Sequence, residues 1–318
     1  MVARGSVHGV SALLDLGADL SWKNRRGDSV VCMAVQKNNI EMVKFLLREG
    51  ADINGEVADD RTALYEAIRT GNRPIVELLL QKGVSISEKT GSYAEALHAA
   101  AACGDAAIVE LILQWGAQIN GHAADNRTAL YEAIRAGNRT IVELLLRKGA
   151  STDAKAGPHH TALHAAVALN RVHIVESLLL SGSNINEQYE SIGTALHMAS
   201  RSGDEAMVKV LLRYGADLSL VNYRDENDLN ALDIALFEWH QKVALLLVER
   251  GAAVTTTDLD RAATLDWVHV VRLMLSKSTF TLTHADASPL CQALMEARDA
   301  DDAEVERIMV ENWVWPTH

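Results

Sequence analysis

Several features that would place this chain in a common protein class are missing. No stretch approaches the roughly eighteen consecutive apolar residues of a membrane-spanning helix, and no charged-then-apolar signal segment opens the chain. Only 4 prolines occur, with no Pro-, Ser- or Gly-rich linker, and aromatic residues make up just 5%. We therefore expect continuous structure with no membrane attachment, in the cytoplasm or nucleus, built from small helix contacts instead of one bulky core.

Cysteine and positive charge are also scarce. The 3 cysteines, Cys32, Cys103 and Cys291, are odd in number and far apart, so no disulfide framework is predicted. The net charge of -12 disfavours non-specific nucleic-acid binding, which requires basic surface to displace counterions. We predict no nucleic-acid partner, although a local basic patch stays compatible with this balance.

What the chain does contain is repetition. The run ADDRTALYEAIRTGNRPIVELLLQKG from Ala58 returns as ADNRTALYEAIRAGNRTIVELLLRKG from Ala124, 66 residues later and with only four differences. This indicates a duplicated block of two units. The unit is therefore 33 residues long.

A recurring residue opens the first helix of each unit. It recurs every 33 residues through six units and then at irregular spacing, at Ser29, Thr62, Glu95, Thr128, Thr161, Thr194, Asn230, Thr257 and Ser288. Upstream, VHGVSALLDLGADLSWKN supplies only the second helix and exit of a further unit. We predict regular repeats over 1–254, the first one incomplete, and degenerate repeats acting as a cap over 255–318.

Short motifs carry a resemblance to the ankyrin repeat family: TALHAA at 161–166, TALHMA at 194–199, GADIN at 50–54 and GADLS at 215–219. The match covers nearly the whole chain, with TALH or TALY in place of the family's TPLH. It implies an all-α solenoid of stacked helix-turn-helix units with projecting β-turn fingers. By the same resemblance, fingers and first helices form a concave binding face.

The spacing gives this resemblance a physical basis. Each opening Thr can cap the first helix, in which Leu64, Ala67 and Ile68 fall on one face. The apolar second helix, IVELLL, cannot be hidden in an isolated unit, so the units must stack. A glycine after it adopts the left-handed conformation, at Gly50, Gly83, Gly116, Gly149, Gly182, Gly215 and Gly251.

The family's variable contact positions can be read off this chain. They carry a basic stripe of Arg25, Arg26, Gln36, Lys37, Arg61, Arg69, Arg127, Arg135 and Arg201, and toward the C-terminus they become Glu226, Asn227, Asp228 and Glu238. A guanidinium fork grips carboxylates or phosphates, which favours an acidic or phosphorylated partner. In the alternative interpretation these arginines pair with Asp59, Glu66, Asp125 and Glu132 and serve only solubility.

Two further features lie on the same surface. A unit with small residues at Gly91, Ser92, Ala94, Ala102 and Cys103 predicts a shallow pocket, or else close approach of the flanking units. His159 and His160 stand at a fingertip, where two histidines without a third ligand do not make a metal site. The resemblance implies that His98, His164 and His197 bond to the backbone of an adjacent finger, a structural role.

Catalytic motifs are lacking: no P-loop, nucleophile elbow or zinc helix occurs. We predict no enzymatic activity, no cofactor and no metal. At the C-terminus, Trp267, Trp313 and Trp315 accompany the fading repeats and belong either to the cap or to a docking site.

The sequence thus predicts a monomeric protein-binding scaffold whose groove takes an acidic peptide or protein segment. The partner-binding candidates are Arg25, Arg26, Lys37, Arg61, Arg69, Ser92, Cys103, Arg127, Arg135, His160 and Arg201. A second hypothesis, favoured by the half repeat at the start, is a recognition or autoinhibitory module of a larger signalling or immune-type protein, of the fungal multidomain kind. A third is a small-molecule-binding or catalytic solenoid.

Overall fold

We examined a computed structural model of the chain. The residues that the structure describes are residue 2 and the ranges 5–54, 56–57, 61–86, 96–122, 126–153, 160–189, 192–222, 229–265 and 267–277. The chain divides into two compact units, Met1–Gly182 and Ser183–His318.

Both units are built from pairs of short helices. The first unit contains α1 (Val7–Asp15), α2 (Val30–Gln36), α3 (Ile40–Arg48), α4 (Ala63–Arg69), α5 (Arg73–Gln81), α6 (Ala96–Cys103), α7 (Ala106–Gln114), α8 (Ala129–Ala136), α9 (Arg139–Arg147), α10 (Ala162–Ala168) and α11 (Val172–Leu180). The second contains α12 (Ala195–Ser202), α13 (Glu205–Arg213), α14 (Ala231–Phe237), α15 (Gln241–Glu249), α16 (Thr256–Thr264) and α17 (Val268–Lys277). The predicted helical repeat is confirmed.

Strand is confined, within the described ranges, to two short finger hairpins. β1 (Glu56–Val57) pairs antiparallel with β2 (Arg61–Thr62), and β3 (Val221–Asn222) pairs antiparallel with β4 (Leu229–Asn230). Isolated bridges close the corresponding fingers at Lys23 and Ser29 and at Tyr189 and Gly193. Each finger thus brings the chain back to the start of a first helix.

The helices form two layers inside each unit. First helices pack on one another, α2 on α4, α4 on α6, α6 on α8, α8 on α10, and separately α12 on α14 and α14 on α16. Second helices form a parallel layer, for example α3 on α5 and α5 on α7. Because α4 is flanked by α2 and α6 and backed by α5, residues 63–68 are all buried, and not one face alone.

The predicted opening residues act as helix caps. The side chains of Ser29, Thr62, Thr128, Thr161 and Thr194 each accept a backbone N–H three residues on, and Asn230 does the same for α14. The prediction of Thr257 for the eighth unit is wrong. There the cap is Thr255, which forms a capping box with Asp258 and satisfies two orphan donors at once. Glu95 and Ser288 lie outside the described residues.

All seven glycines predicted to end the second helices have positive φ, between 82° at Gly83 and 93° at Gly116 and Gly149. A second left-handed position links the two helices of a repeat. It is occupied by Gly71, Gly104, Gly137 and Gly203, by Asn38 and Asn170, and by Trp239. In several repeats a side chain of the next repeat closes over this linker: Asn138 donates to the Gly104 carbonyl, Arg171 to that of Arg135 and His240 to that of Arg201.

Replacing Gly203 with alanine should destabilise the second unit more than the same change at Gly215. Both glycines are left-handed, with φ of 71° and 88°, which costs alanine about 1 kcal/mol. At Gly203 the new Cβ would also lie 2.5 Å from Nδ1 of His240, whose ring is held by its hydrogen bond to Arg201, whereas nothing lies within 4 Å at Gly215. Urea unfolding should show a loss roughly 1 kcal/mol larger for Gly203→Ala. Equal losses would contradict the steric argument.

Candidate functional site

The first finger of the chain carries two predicted contact residues on a rigid turn. The Asn24 side-chain oxygen accepts from the backbone N–H of Arg26 at 2.7 Å and of Asp28 at 3.0 Å, and its Nδ2 donates to the buried Asp28 carboxylate at 2.8 Å. Gly27, with φ of 85°, completes the turn. The backbone between Asn24 and Asp28 is therefore preorganised, and it presents exposed Arg25 and Arg26.

These arginines line a cleft of about 470 Å³. The cleft lies between the finger and the end of α2, and its lining consists of Trp22, Asn24, Arg25, Arg26, Asp28, Met33, Gln36 and Lys37. We call it the finger cleft. Within the described part of the chain, Arg25, Arg26 and Lys37 form no ion pair with a carboxylate. Three of the predicted candidates are thus brought together without a paired carboxylate, and with the buried Asp28 in the same lining the cleft keeps a net positive charge.

The arginines of the duplicated block have a different environment. Arg69 contacts Glu66 through two guanidinium nitrogens, at 3.1 and 2.9 Å, and Glu66 is only 1% exposed. In the second copy, Arg127 at 3.1 Å and Arg135 at 2.8 Å hold the two oxygens of Glu132, which is also 1% exposed. The alternative interpretation is therefore supported at Glu66 and Glu132, while Asp59 and Asp125 lie outside the described residues.

This pairing changes the charge of the surface without cancelling it. Glu132 carries one negative charge between two guanidinium groups, so the triad retains one net positive charge. Arg69 and Arg135 stay about half exposed, at 49% and 45% of their side chains, so they still present donors to solvent. The duplicated block is a weaker cation surface than the finger cleft.

The remaining candidates are scattered. The backbone of Arg61 lies in β2, directly before the α4 cap, and Ser92 lies outside the described residues, as do Gly91, Ala94 and His159. Cys103 is exposed at the end of α6; partial burial raises the pKa of its thiol and the nearby Arg69 guanidinium opposes that increase. His160 precedes the α10 cap with φ of 67°.

Arg201 belongs to the second unit, where its Nε lies 3.9 Å from the Glu238 carboxylate. Glu226, Asn227 and Asp228, which were predicted to make this end of the groove acidic, lie outside the described residues. The same holds for Trp313 and Trp315.

The three first-helix histidines are buried, and His98 and His197 show the backbone contact that the family implies. Nε2 of His98 donates to the Arg127 carbonyl at 3.1 Å, and Nε2 of His197 donates to the Leu220 carbonyl at 3.0 Å. His164 contacts the hydroxyl of Thr161 through Nδ1 at 2.7 Å. Desolvation lowers the pKa of His197 to about 4, so this ring is neutral at physiological pH.

Two aromatic features escaped the sequence reasoning. Trp22 forms part of the finger cleft, and Phe237 and Trp239 are exposed where α14 ends. The signal was available: Trp239 occupies a position that is Gly or Asn in the other repeats whose linker is described. Similarly, Glu66 and Glu132 stand where the other described first helices carry an apolar residue, namely Met33, Ala99, Ala165, Met198, Ile234 and Leu259. A glutamate at this position indicates a buried pair.

Among the described residues, no group of three or more His, Cys, Asp or Glu side chains could hold a metal ion. In the same ranges, every helix is too short or too polar to cross a bilayer.

Stacked helix pairs, finger hairpins and left-handed linkers define a helical repeat protein. A family model described as ankyrin repeats matches residues 1–90, 87–156 and 163–258. The chain belongs to the ankyrin repeat family.

One solved relative is the ankyrin repeat domain of Bcl-3, described as a unique member of the IkappaB protein family. The two chains share 29% identity with a TM-score of 0.60, and the alignment covers 66% of this chain and 95% of that domain. A search of curated proteins gave no match. Ankyrin repeats bind proteins, so the chain is a protein-interaction scaffold.

Proposed function

We propose that this scaffold binds an acidic or phosphorylated segment of a partner protein through the finger cleft. The observation that carries the proposal is the convergence of Arg25, Arg26 and Lys37 on one cavity, where none of the three is paired with a carboxylate of the described residues. Guanidinium and ammonium groups that are not paired with a carboxylate can donate charge-assisted hydrogen bonds to a ligand carboxylate or phosphate.

Three properties of the cleft support a peptide ligand. Its volume of about 470 Å³ accommodates side chains and not a folded surface. Trp22 and Met33 add apolar contact beside the cations. The Asn24 turn fixes the finger before binding, which lowers the ordering cost of association.

The other candidates contribute around this anchor. Arg69, Arg127 and Arg135 offer a second set of donors in the first unit, weakened by their pairing with Glu66 and Glu132. Arg61, Ser92, Cys103 and His160 are proposed as further contacts, and Arg201 as a contact on the second unit. The scaffold acts as a monomer in the cytoplasm or nucleus, holds its partner without catalysing a reaction and does not insert into membranes.

Neutralising the finger cleft should weaken acidic ligands. The triple variant Arg25→Gln, Arg26→Gln, Lys37→Gln is expected to raise the Kd of fluorescein-labelled Glu-rich and phosphoserine-containing 12-residue peptides at least about tenfold, because each lost contact is worth about 0.5–1 kcal/mol. Fluorescence polarisation at several salt concentrations measures both affinity and its salt dependence, which should become shallower in the variant.

The matched control removes the same charge from the same unit. Lys44, Arg73 and Arg139 are half-exposed cations on second helices, each paired with a glutamate on its own helix. Their triple Gln variant should keep the Kd within about twofold. Equal losses of affinity in the two triple variants would contradict the proposal that the finger cleft binds acidic segments. Equal affinities of the wild-type chain for a lysine-rich and an acidic peptide would contradict it as well.

A further inference from the structure

Trp239 is the most exposed tryptophan among those the structure describes, and it lies in an unusual backbone conformation. Its side chain is 74% exposed and its φ is 63°. A bulky residue in the left-handed region is strained, and every other repeat whose linker is described places Gly or Asn here. Little burial compensates for the strain. Strained residues of this kind concentrate at binding and catalytic sites.

A second aromatic residue and a cation complete a surface around it. Phe237, which ends α14, is 58% exposed, and the guanidinium carbon of Arg261 on α16 lies 5.3 Å from its ring centroid. Leu236, Phe237, Trp239, Arg261, Thr264 and Leu265 line a cleft of about 460 Å³. We call this the aromatic cleft.

Arg261 supplies the charge that selects an occupant. No carboxylate contacts its guanidinium in the described part of the chain, so the only ring or charge contact it makes there is with Phe237. Stacking occupies a face of the guanidinium and leaves its edge of N–H donors available for a carboxylate. The nearest acidic residue of the linker, Glu238, points to a different cation, Arg201, at 3.9 Å.

We propose that the aromatic cleft binds an extended segment of a partner protein in which a bulky apolar side chain stands next to an aspartate or glutamate. The apolar side chain packs between Phe237 and Trp239, and the carboxylate accepts hydrogen bonds from Arg261. Tryptophan and arginine are the residues most enriched among those that dominate binding energy at interfaces, and here they adjoin. This surface lies within the second unit, and its binding does not depend on the finger cleft.

The test begins with a displayed library of random 12-residue peptides. Selection on the wild-type chain, with counter-selection against Trp239→Gly, should enrich peptides that place an apolar residue beside Asp or Glu. Recovery of no such peptide overturns the proposal. Glycine is the residue that other repeats use at this position, so the variant should fold with an unchanged or raised unfolding midpoint.

The enriched peptide is then measured by fluorescence polarisation. Trp239→Gly and Arg261→Gln should each raise its Kd at least tenfold, and replacing the peptide carboxylate with lysine should do the same. Two controls should stay within twofold: Trp115→Ala, an exposed tryptophan of the first unit, and Arg213→Gln, an arginine that also lies 5.3 Å from an aromatic ring. An Arg261→Gln variant that binds as well as wild type overturns the charge assignment and the proposal with it.

The same variant and peptide distinguish two other occupants of the aromatic cleft. A wild-type chain that sediments as a dimer while Trp239→Gly sediments as a monomer would assign the aromatic cleft to a second copy. A synthetic peptide of residues 278–318 that competes with the enriched peptide would assign it to this chain's own C-terminal segment. Either result overturns the partner proposal. The finger cleft triple variant should leave binding here unchanged, so failure of one proposal is separable from failure of the other.

Discussion

Replacing Glu132 with glutamine is expected to lower the free energy of unfolding by about 2–3 kcal/mol. The carboxylate is 1% exposed and holds Arg127 and Arg135 at 3.1 and 2.8 Å. Removing one partner of a buried ion pair costs about 3–5 kcal/mol because it leaves charge uncompensated, and the partial exposure of both arginines reduces that cost. Urea unfolding monitored by circular dichroism measures the change.

The control for this change is Glu77→Gln on a second helix. Glu77 pairs with Arg73 at 2.8 Å, but both side chains are well exposed, so its loss should cost under about 0.5 kcal/mol. If Glu132→Gln cost no more than this control, the buried triad would add nothing to stability.

The same variant separates structural from binding roles of the two arginines. Releasing Arg127 and Arg135 from Glu132 frees donors for an acidic ligand, so we expect the Glu-rich peptide to bind about two- to fivefold more tightly while stability falls. Unchanged affinity would restrict both arginines to the ion pair. Opposite signs in the two measurements are the distinguishing result.

Acidification should destabilise the chain through His197. Thr194 donates its backbone N–H to Nδ1 of this ring at 3.0 Å, and Nε2 donates to the Leu220 carbonyl, so the neutral ring uses both nitrogens. Burial lowers its pKa from 6.5 to about 4 in the folded state, while the unfolded chain protonates it near 6.5. The free energy of unfolding should therefore be independent of this group above pH 6.5 and fall by up to about 3 kcal/mol between pH 6.5 and 4.

Urea unfolding across this pH range tests the prediction. His197→Asn should be less stable at pH 7.5 but should lose less stability on acidification than wild type does. His173→Gln, at a histidine whose side chain is 79% exposed, should retain the wild-type slope. Parallel pH profiles for wild type and His197→Asn would show that this ring does not cause the loss.

Much of the fold could be predicted because it depends on local rules that recur. Thr62 and Thr128 cap helices through their own side chains. Gly50 and Gly215 adopt the left-handed conformation because a second helix ends just before each of them. The error at Thr257 arose because the first residue of this repeat was assigned from the spacing of the repeats and not from helix-capping chemistry. Thr255 and Asp258 form the Thr-x-x-Asp pattern of a capping box, which indicates the start of a helix more strongly than repeat spacing does.

The site was less predictable because it depends on contacts between repeats and on burial. Lys37 and Arg69 both stand just before the linker between two helices, yet only Arg69 has a buried carboxylate three residues before it. Residue type at a surface position identifies a candidate cation but does not give its pairing state. The sequence marks Trp239 as unusual, because it stands where other repeats have Gly or Asn, but its exposure and strain are properties of the folded linker.

The side chains that cover the linkers between helices affect how the repeats unfold. Asn138, Arg171 and His240 each reach back to a carbonyl of the repeat before their own. Fraying of one of these three repeats therefore removes a hydrogen-bond donor from the preceding repeat, whose exposed carbonyl must be rehydrated. Neighbouring repeats within a unit should share protection against amide hydrogen exchange, and melt as blocks instead of one at a time.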